Sequence, residues 1–159
     1  MAYDVVENER LDGVVTYKDT MIEAVEEADI VTVHVPGGAD THYLFDEKVF
    51  SHFKQDAVFV NCARGSVTDT KALLKYLDEG HLLGAALDTY EGEKGLYPSD
   101  QRHTDFQDDL LQQLIDREDV IVSPHIAFYT DAAVENLIVY ALDATLDVIQ
   151  TGDTELRVN

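Results

Sequence analysis

A single thiol, Cys62, is all that the 159-residue sequence contains. That count leaves no disulfide framework and no thiolate metal site, and it suits a reducing, cytoplasmic setting. Positive charge is also scarce: 11 Lys and Arg stand against 32 Asp and Glu, for a formal charge of −21. Phosphate binding needs clustered cations, so neither nucleic acid nor an anionic membrane surface is expected as a partner. A small anionic substrate stays compatible, because it answers to the local field rather than to the total charge. No apolar run approaches the ~20 residues of a membrane span, and there is no signal-like start. Glycine-rich phosphate cradles are missing too. Gly37-Gly38 and the Gly92/Gly95 pair fit neither the dinucleotide fingerprint nor the P-loop. His42, His52, His81 and His103 lie in polar or helical surroundings, no histidine pair has metal-ligand spacing, and no metal is expected.

What is present is an alternation. The length is that of one ordinary domain, and the 45% apolar content is typical of a globular chain with a real core. Val14–Tyr17 reads as a short strand, and 19–28 as a helix capped by Asp19 or Thr20. Asp29–Pro36 reads as a buried strand stopped by the proline and two glycines. A short helix near 46–53 leads into the strand 57–62. A helix begins at Asp69-Thr70-Lys71, with Leu73, Leu74 and Leu77 on one face and Gly80 at its end. Leu83–Asp88 is a further strand and 94–106 a polar excursion. A helix around 107–116 precedes the strand 120–122, and Thr130 caps the longest helix. Strands alternating with helices at this rhythm predict a parallel α/β sheet with flanking helices.

Ala57-Val58-Phe59-Val60-Asn61-Cys62-Ala63-Arg64-Gly65 organises the rest. An apolar strand ends in one cation, at the rim where ligands of parallel sheets bind. A planar guanidinium there suits a carboxylate held by two parallel hydrogen bonds; the plainer role is a strand-end pair with a nearby acid. Two further strands end in polar groups, Asp88 with Glu91 and Glu93 beyond it, and His125. Together these make an apparatus for moving a proton on a small acid, since histidine shuttles protons near neutral pH and a neighbouring carboxylate orients its ring. Each has a plainer role: His125 as a loop cap, Asp88 as a turn cap, Glu91 and Glu93 as solvated charge. His34, inside a strand, reads as a satisfied core histidine or a backbone-facing pocket residue.

Four runs occur in order: His34-Val35-Pro36, Val60–Gly65, Ala86-Leu87-Asp88-Thr89-Tyr90-Glu91-Gly92-Glu93 and Ser123-Pro124-His125-Ile126-Ala127-Phe128-Tyr129-Thr130. Together they resemble the D-2-hydroxyacid dehydrogenase family, and most closely its D-lactate dehydrogenase branch. The resemblance implies a partial Rossmann-type sheet, NAD as cofactor, and hydride transfer to a 2-keto acid such as pyruvate. It implies that Arg64 grips the substrate carboxylate, His125 is the general acid/base and Glu93 is the acid paired with it. Asp88 would lie beside the nicotinamide, Val35 and Pro36 against the adenine side, and Cys62 and Ala63 with Arg64 along the nicotinamide side. Phe128 would narrow the substrate pocket.

Asp4 resembles the family's acid at the end of its second strand, which bonds the adenosine ribose. That placement implies a missing first βαβ unit and a missing substrate domain. Residues 1–128 would then be an incomplete NAD-binding domain, and 129–159 a helix and tail returning to the absent domain. The polypeptide alone is expected to bind NAD poorly and to turn over nothing, with an unpaired sheet edge and exposed apolar surface. The family's homodimer is expected of an intact parent. Two other readings are a stand-alone binding or regulatory module without chemistry, and a receiver-type phospho-acceptor domain. The last lacks the paired acids near the first strand and the late-strand lysine.

Overall fold

Four short apolar stretches pair edge to edge. Ile30–Val33 (β1), Ala57–Asn61 (β2), Leu82–Leu87 (β3) and Val120–Val122 (β4) form one parallel sheet in the order β1-β2-β3-β4. They belong to a computed structural model that describes residues 1–96 and 107–157; most of the excursion expected at 94–106 lies outside the described residues. Parallel neighbours need crossover connections, and helices supply them. Glu47–Phe50 (α2) lies between β1 and β2, Thr70–Asp78 (α3) between β2 and β3, and Asp109–Ile115 (α4) between β3 and β4, while Met21–Glu26 (α1) precedes β1. The expected α/β class with a Rossmann-type parallel sheet is what the chain adopts.

Each helix starts on a side-chain cap. Thr20, Asp46, Asp69 and Asp108 accept from backbone N–H groups in the first turns of α1 to α4, satisfying donors that a helix start leaves without partners. The core is aromatic where α2 and α3 meet the sheet. Phe45, Phe50, Phe53 and Phe59 are all at least 95% buried, with ring centroids 5.1 to 6.3 Å apart. Such tilted and edge-on ring pairs add to the stabilisation that burial alone gives.

Three expectations need correction. Asp29–Pro36 is not a buried strand: pairing covers only Ile30–Val33, Val33 alone is buried, and Ile30 is 65% exposed. Among the described residues β1 has a strand neighbour on one side only. Val14–Tyr17 forms no strand. Its one ladder contact is a parallel bridge between Ala2 and Tyr17, and Val14 is left exposed in a turn. His34 is exposed rather than a core residue, and its Nε2 meets the Thr32 hydroxyl at 2.9 Å.

The chain divides into two units, Met1–His125 and Ile126–Asn159. The second is dominated by Asp131–Thr151 (α5), capped by Thr130 and ended by Gly152 at φ +83°, a left-handed conformation that glycine adopts freely. None of its residues is buried. Among the described residues, no helix is long and apolar enough to cross a membrane. Phe50 is fully buried against four other rings, so Phe50→Ala should cost about 3–5 kcal/mol, read as a lower midpoint in urea unfolding.

Candidate functional site

The sheet register brings the strand ends level. Val33 pairs with Asn61, Asn61 with Leu87, and Leu87 with Val122. Whatever follows each strand therefore emerges on one rim: His34-Val35-Pro36 after β1, Cys62-Ala63-Arg64 after β2, Asp88 after β3 and Ser123-Pro124-His125 after β4. This is the rim at which ligands of parallel α/β sheets bind.

Asn61 shapes the turn that carries Arg64. It is fully buried. Its side-chain oxygen accepts from Ala63 N–H at 2.9 Å, while its amide donates to the Arg64 carbonyl and the Thr68 hydroxyl, both at 3.0 Å. Every strong group of that amide is engaged, so the chain reverses in one way. Arg64 is exposed, and its guanidinium donates to the Ala63 carbonyl at 2.7 Å. It forms no ion pair with any described carboxylate, which leaves the plainer role of a strand-end salt bridge without support. Gly37 leaves room for its stem, since a Cβ there would lie 2.8 Å from Arg64 Cγ. Val35, Pro36, Cys62, Ala63 and Arg64 line one cleft of ≈ 490 Å³, together with His34 and Gly37.

The second half of the site is the loop after β3. Asp88 is 5% exposed. Its N–H donates to the Asn61 carbonyl at 2.9 Å, its carbonyl accepts from His125 N–H at 2.8 Å, and its carboxylate accepts from the Ser123 hydroxyl. Asp88 thus ties three strand ends together. His125 Nδ1 meets Glu93 Oε1 at 3.1 Å, and the other Glu93 oxygen accepts from Tyr90 N–H at 3.2 Å. His125 holds φ +54°, a left-handed conformation in which non-glycine residues are uncommon and His is among the enriched types. Such strain persists only where surrounding contacts fix it, here the two backbone bonds to Asp88 and Ser123 carbonyls.

Arg64, Asp88, Glu93 and His125 therefore share the rim, with Val35, Pro36, Cys62 and Ala63 beside Arg64. Asp4 does not line their cleft. It borders a separate hollow of ≈ 560 Å³ with Val6, Glu7, Asn8, Glu9 and Arg10, and its carboxylate accepts from Val6 N–H. Phe128 belongs to the second unit, where its ring lies edge-on to Tyr129 at 6.0 Å. Sequence reasoning passed over Asn61, Ser123, Tyr43 and Asp108. Tyr43 donates to Glu91 at 2.5 Å, and Tyr90 donates to both Asp108 oxygens at 2.8 and 3.0 Å.

Residues 1–127 match the family described as D-isomer specific 2-hydroxyacid dehydrogenase, NAD binding domain. The chain belongs to this family. A D-lactate dehydrogenase of Staphylococcus aureus is 46% identical over 158 residues, covering 99% of this chain and 48% of the relative. One from Streptococcus agalactiae is 43% identical over 159 residues, covering 100% and 48%. Among solved structures, a D-lactate dehydrogenase from Sporolactobacillus sp. superposes with a TM-score of 0.94 at 37% identity, over 100% of this chain and 48% of that one. A D-lactate dehydrogenase with NAD+ from Lactobacillus jensenii gives 0.90 at 30% identity, over 99% and 47%. The chain spans about half the length of the curated relatives it matches.

The residues present fit part of NAD. A cleft between two strand ends, walled by Val35, Pro36 and Ala63, suits a flat ring, and the glycine at 37 keeps the cleft clear of a further side chain. No glycine-rich phosphate loop stands among the described residues of this D-2-hydroxyacid dehydrogenase domain.

The Tyr43 hydroxyl is pushed up from 10.0 to about 12, chiefly by the bond it donates to Glu91, with burial and the charges of Glu91 and Asp69 adding. Tyr90 is raised as well, by burial first and then by Asp108. A group whose folded-state pKa lies above its unfolded value contributes stability that is complete below pH 10 and is lost as pH rises toward 12. Alkaline unfolding followed by tyrosinate absorbance should show this loss in the wild type and a shallower one in Tyr43→Phe.

Proposed function

We propose that this chain is the NAD-binding half of a D-2-hydroxyacid dehydrogenase that reduces a 2-keto acid of the pyruvate type to the D-hydroxy acid. The cofactor, when bound, supplies the hydride. Everything else falls to side chains of the rim. Arg64 holds the substrate carboxylate with two parallel N–H bonds, which fixes the keto group in one orientation. His125 gives a proton to the keto oxygen from Nε2, because Nδ1 is engaged with Glu93. Glu93 keeps the ring in one tautomer and balances the charge of its protonated form. In the reverse direction the same imidazole takes the proton back.

The observation that carries this reading is the Glu93–His125 contact at 3.1 Å on the rim that also presents Arg64. It is supported by the absence of a described ion-pair partner for Arg64 and by the names of the relatives. On this reading Asp4 bonds the adenosine ribose, Val35 and Pro36 face the adenine side, and Cys62, Ala63 and Asp88 border the nicotinamide. Residues 1–128 are then an incomplete cofactor domain and 129–159 the return to a substrate domain, in a cytoplasmic enzyme that works as a homodimer.

Purified by itself, the 159-residue chain is expected to oxidise no NADH with pyruvate, and measurable turnover would refute that. In a full-length enzyme carrying this chain, Arg64→Lys should raise KM for the keto acid and lower kcat. Loss of a charge-assisted bond of about 1.5–3 kcal/mol corresponds to roughly ten- to a hundredfold in kcat/KM. His125→Ala should lower kcat by roughly 10²–10⁴-fold with NADH affinity near normal, measured by fluorescence titration. Lost NADH affinity with kcat retained would make His125 a structural residue.

A further inference from the structure

The Glu93–His125 contact exists only if the short loop Thr89–Glu93 keeps its course, and the neighbouring acid is what pins that course. Both oxygens of Glu91 are taken by groups other than His125. Oε1 accepts from Thr70 N–H at 3.1 Å and Oε2 accepts from the Tyr43 hydroxyl at 2.5 Å. Thr70 opens α3, so its N–H is one of the donors that a helix start cannot satisfy internally, and a negative charge there is favoured by the helix dipole. Tyr43 is itself held fast. It sits at φ +51°, and its N–H donates to the Ser66 carbonyl at 2.8 Å. Gly92 transmits this anchoring to Glu93 with little slack. A Cβ at Gly92 would lie 2.6 Å from Tyr90 Cε1 and 2.9 Å from Asp108 Oδ2, so the loop is packed closely against the Tyr90 ring and the Asp108 carboxylate between its anchor and Glu93.

We propose that Glu91, gripped by Tyr43 and the first N–H of α3, is a positioning residue that sets where Glu93 meets the His125 ring. A helix-capping role alone does not account for the arrangement, because Asp69 already caps α3 by accepting from Lys71 and Ala72 N–H at 3.0 and 3.2 Å. The added bonds from Glu91 tie a different loop to that helix, two residues before Glu93. The inference rests on the reading of Glu93 and His125 as the proton-handling pair, and its test separates the two.

The test is long-range ¹H–¹⁵N NMR of the imidazoles in the 159-residue chain, with the dispersed amide spectrum showing that each variant is folded. In the wild type the neutral His125 ring should carry its proton on Nδ1, facing Glu93. Glu93→Gln, the reference variant, should lose that preference. Tyr43→Phe and Glu91→Gln should lose it too, with the ratio of Nδ1–H to Nε2–H forms falling about tenfold. If both variants keep the wild-type tautomer while Glu93→Gln changes it, the positioning role is overturned and the pair stands. If the wild type lacks the Nδ1–H form, the pair itself is absent and both readings fall. A purely structural Glu91 would lower thermal stability and leave the tautomer unmoved. Should Glu91→Gln fail to fold, Tyr43→Phe decides the matter alone.

Discussion

At Gly65 the main chain passes so close to the loop after β3 that a Cβ there would lie 2.0 Å from the Tyr90 carbonyl carbon and 2.4 Å from Glu91 N. No side chain fits in that gap. The contact presses the turn that bears Arg64 against the loop that bears Glu93, so the spacing of a cation and an acid is set by backbone rather than by flexible side chains. The rest of the rim is built outward from it. Asn61 closes the turn on one side, and Asp88 joins the loop to Asn61 and His125 on the other. Preorganisation of this kind favours chemistry, because the groups need not be gathered at the moment of reaction.

Much of the scaffold could be read from the sequence, and the reasons are local. The strand at Val120–Val122 matched residue for residue, and the strand read at 57–62 was too long by one residue, because apolar runs of that length between turn residues have few other outcomes. Thr130 was legible as a cap, the cap of α1 was narrowed to Asp19 or Thr20, and α3 was placed to start at Asp69-Thr70-Lys71, because a cap acts within three residues. Burial was not legible for Ile30 or Val14, since it depends on neighbours that a strand's own composition does not name. For His34 the core alternative fell for the same reason, while the pocket alternative agrees with its place in the cleft lining.

The site divides in a similar way. Arg64, Asp88 and His125 follow apolar strands, and the rule for strand ends puts them on one rim without knowledge of any contact. The supporting residues had no such signal. Tyr43 lies 48 residues from Glu91, and Ser123 lies 35 from Asp88. A buried Asn61 at a strand end reads as an ordinary polar terminus until its three bonds are seen. Most of the excess acid had no assigned role in the sequence. Several of those acids are structural: Asp46, Asp69 and Asp108 begin helices, Glu91 and Asp88 bind hydroxyls, and Asp119 is lowered in pKa by its bond to Arg117.

Asp108 serves two masters, starting α4 through Leu110 and Leu111 N–H while accepting the Tyr90 hydroxyl. The rim loop at Tyr90 and the chain that enters α4 are thereby fastened to each other. Removing that one carboxylate would loosen the start of α4 and the loop that carries Glu93 together.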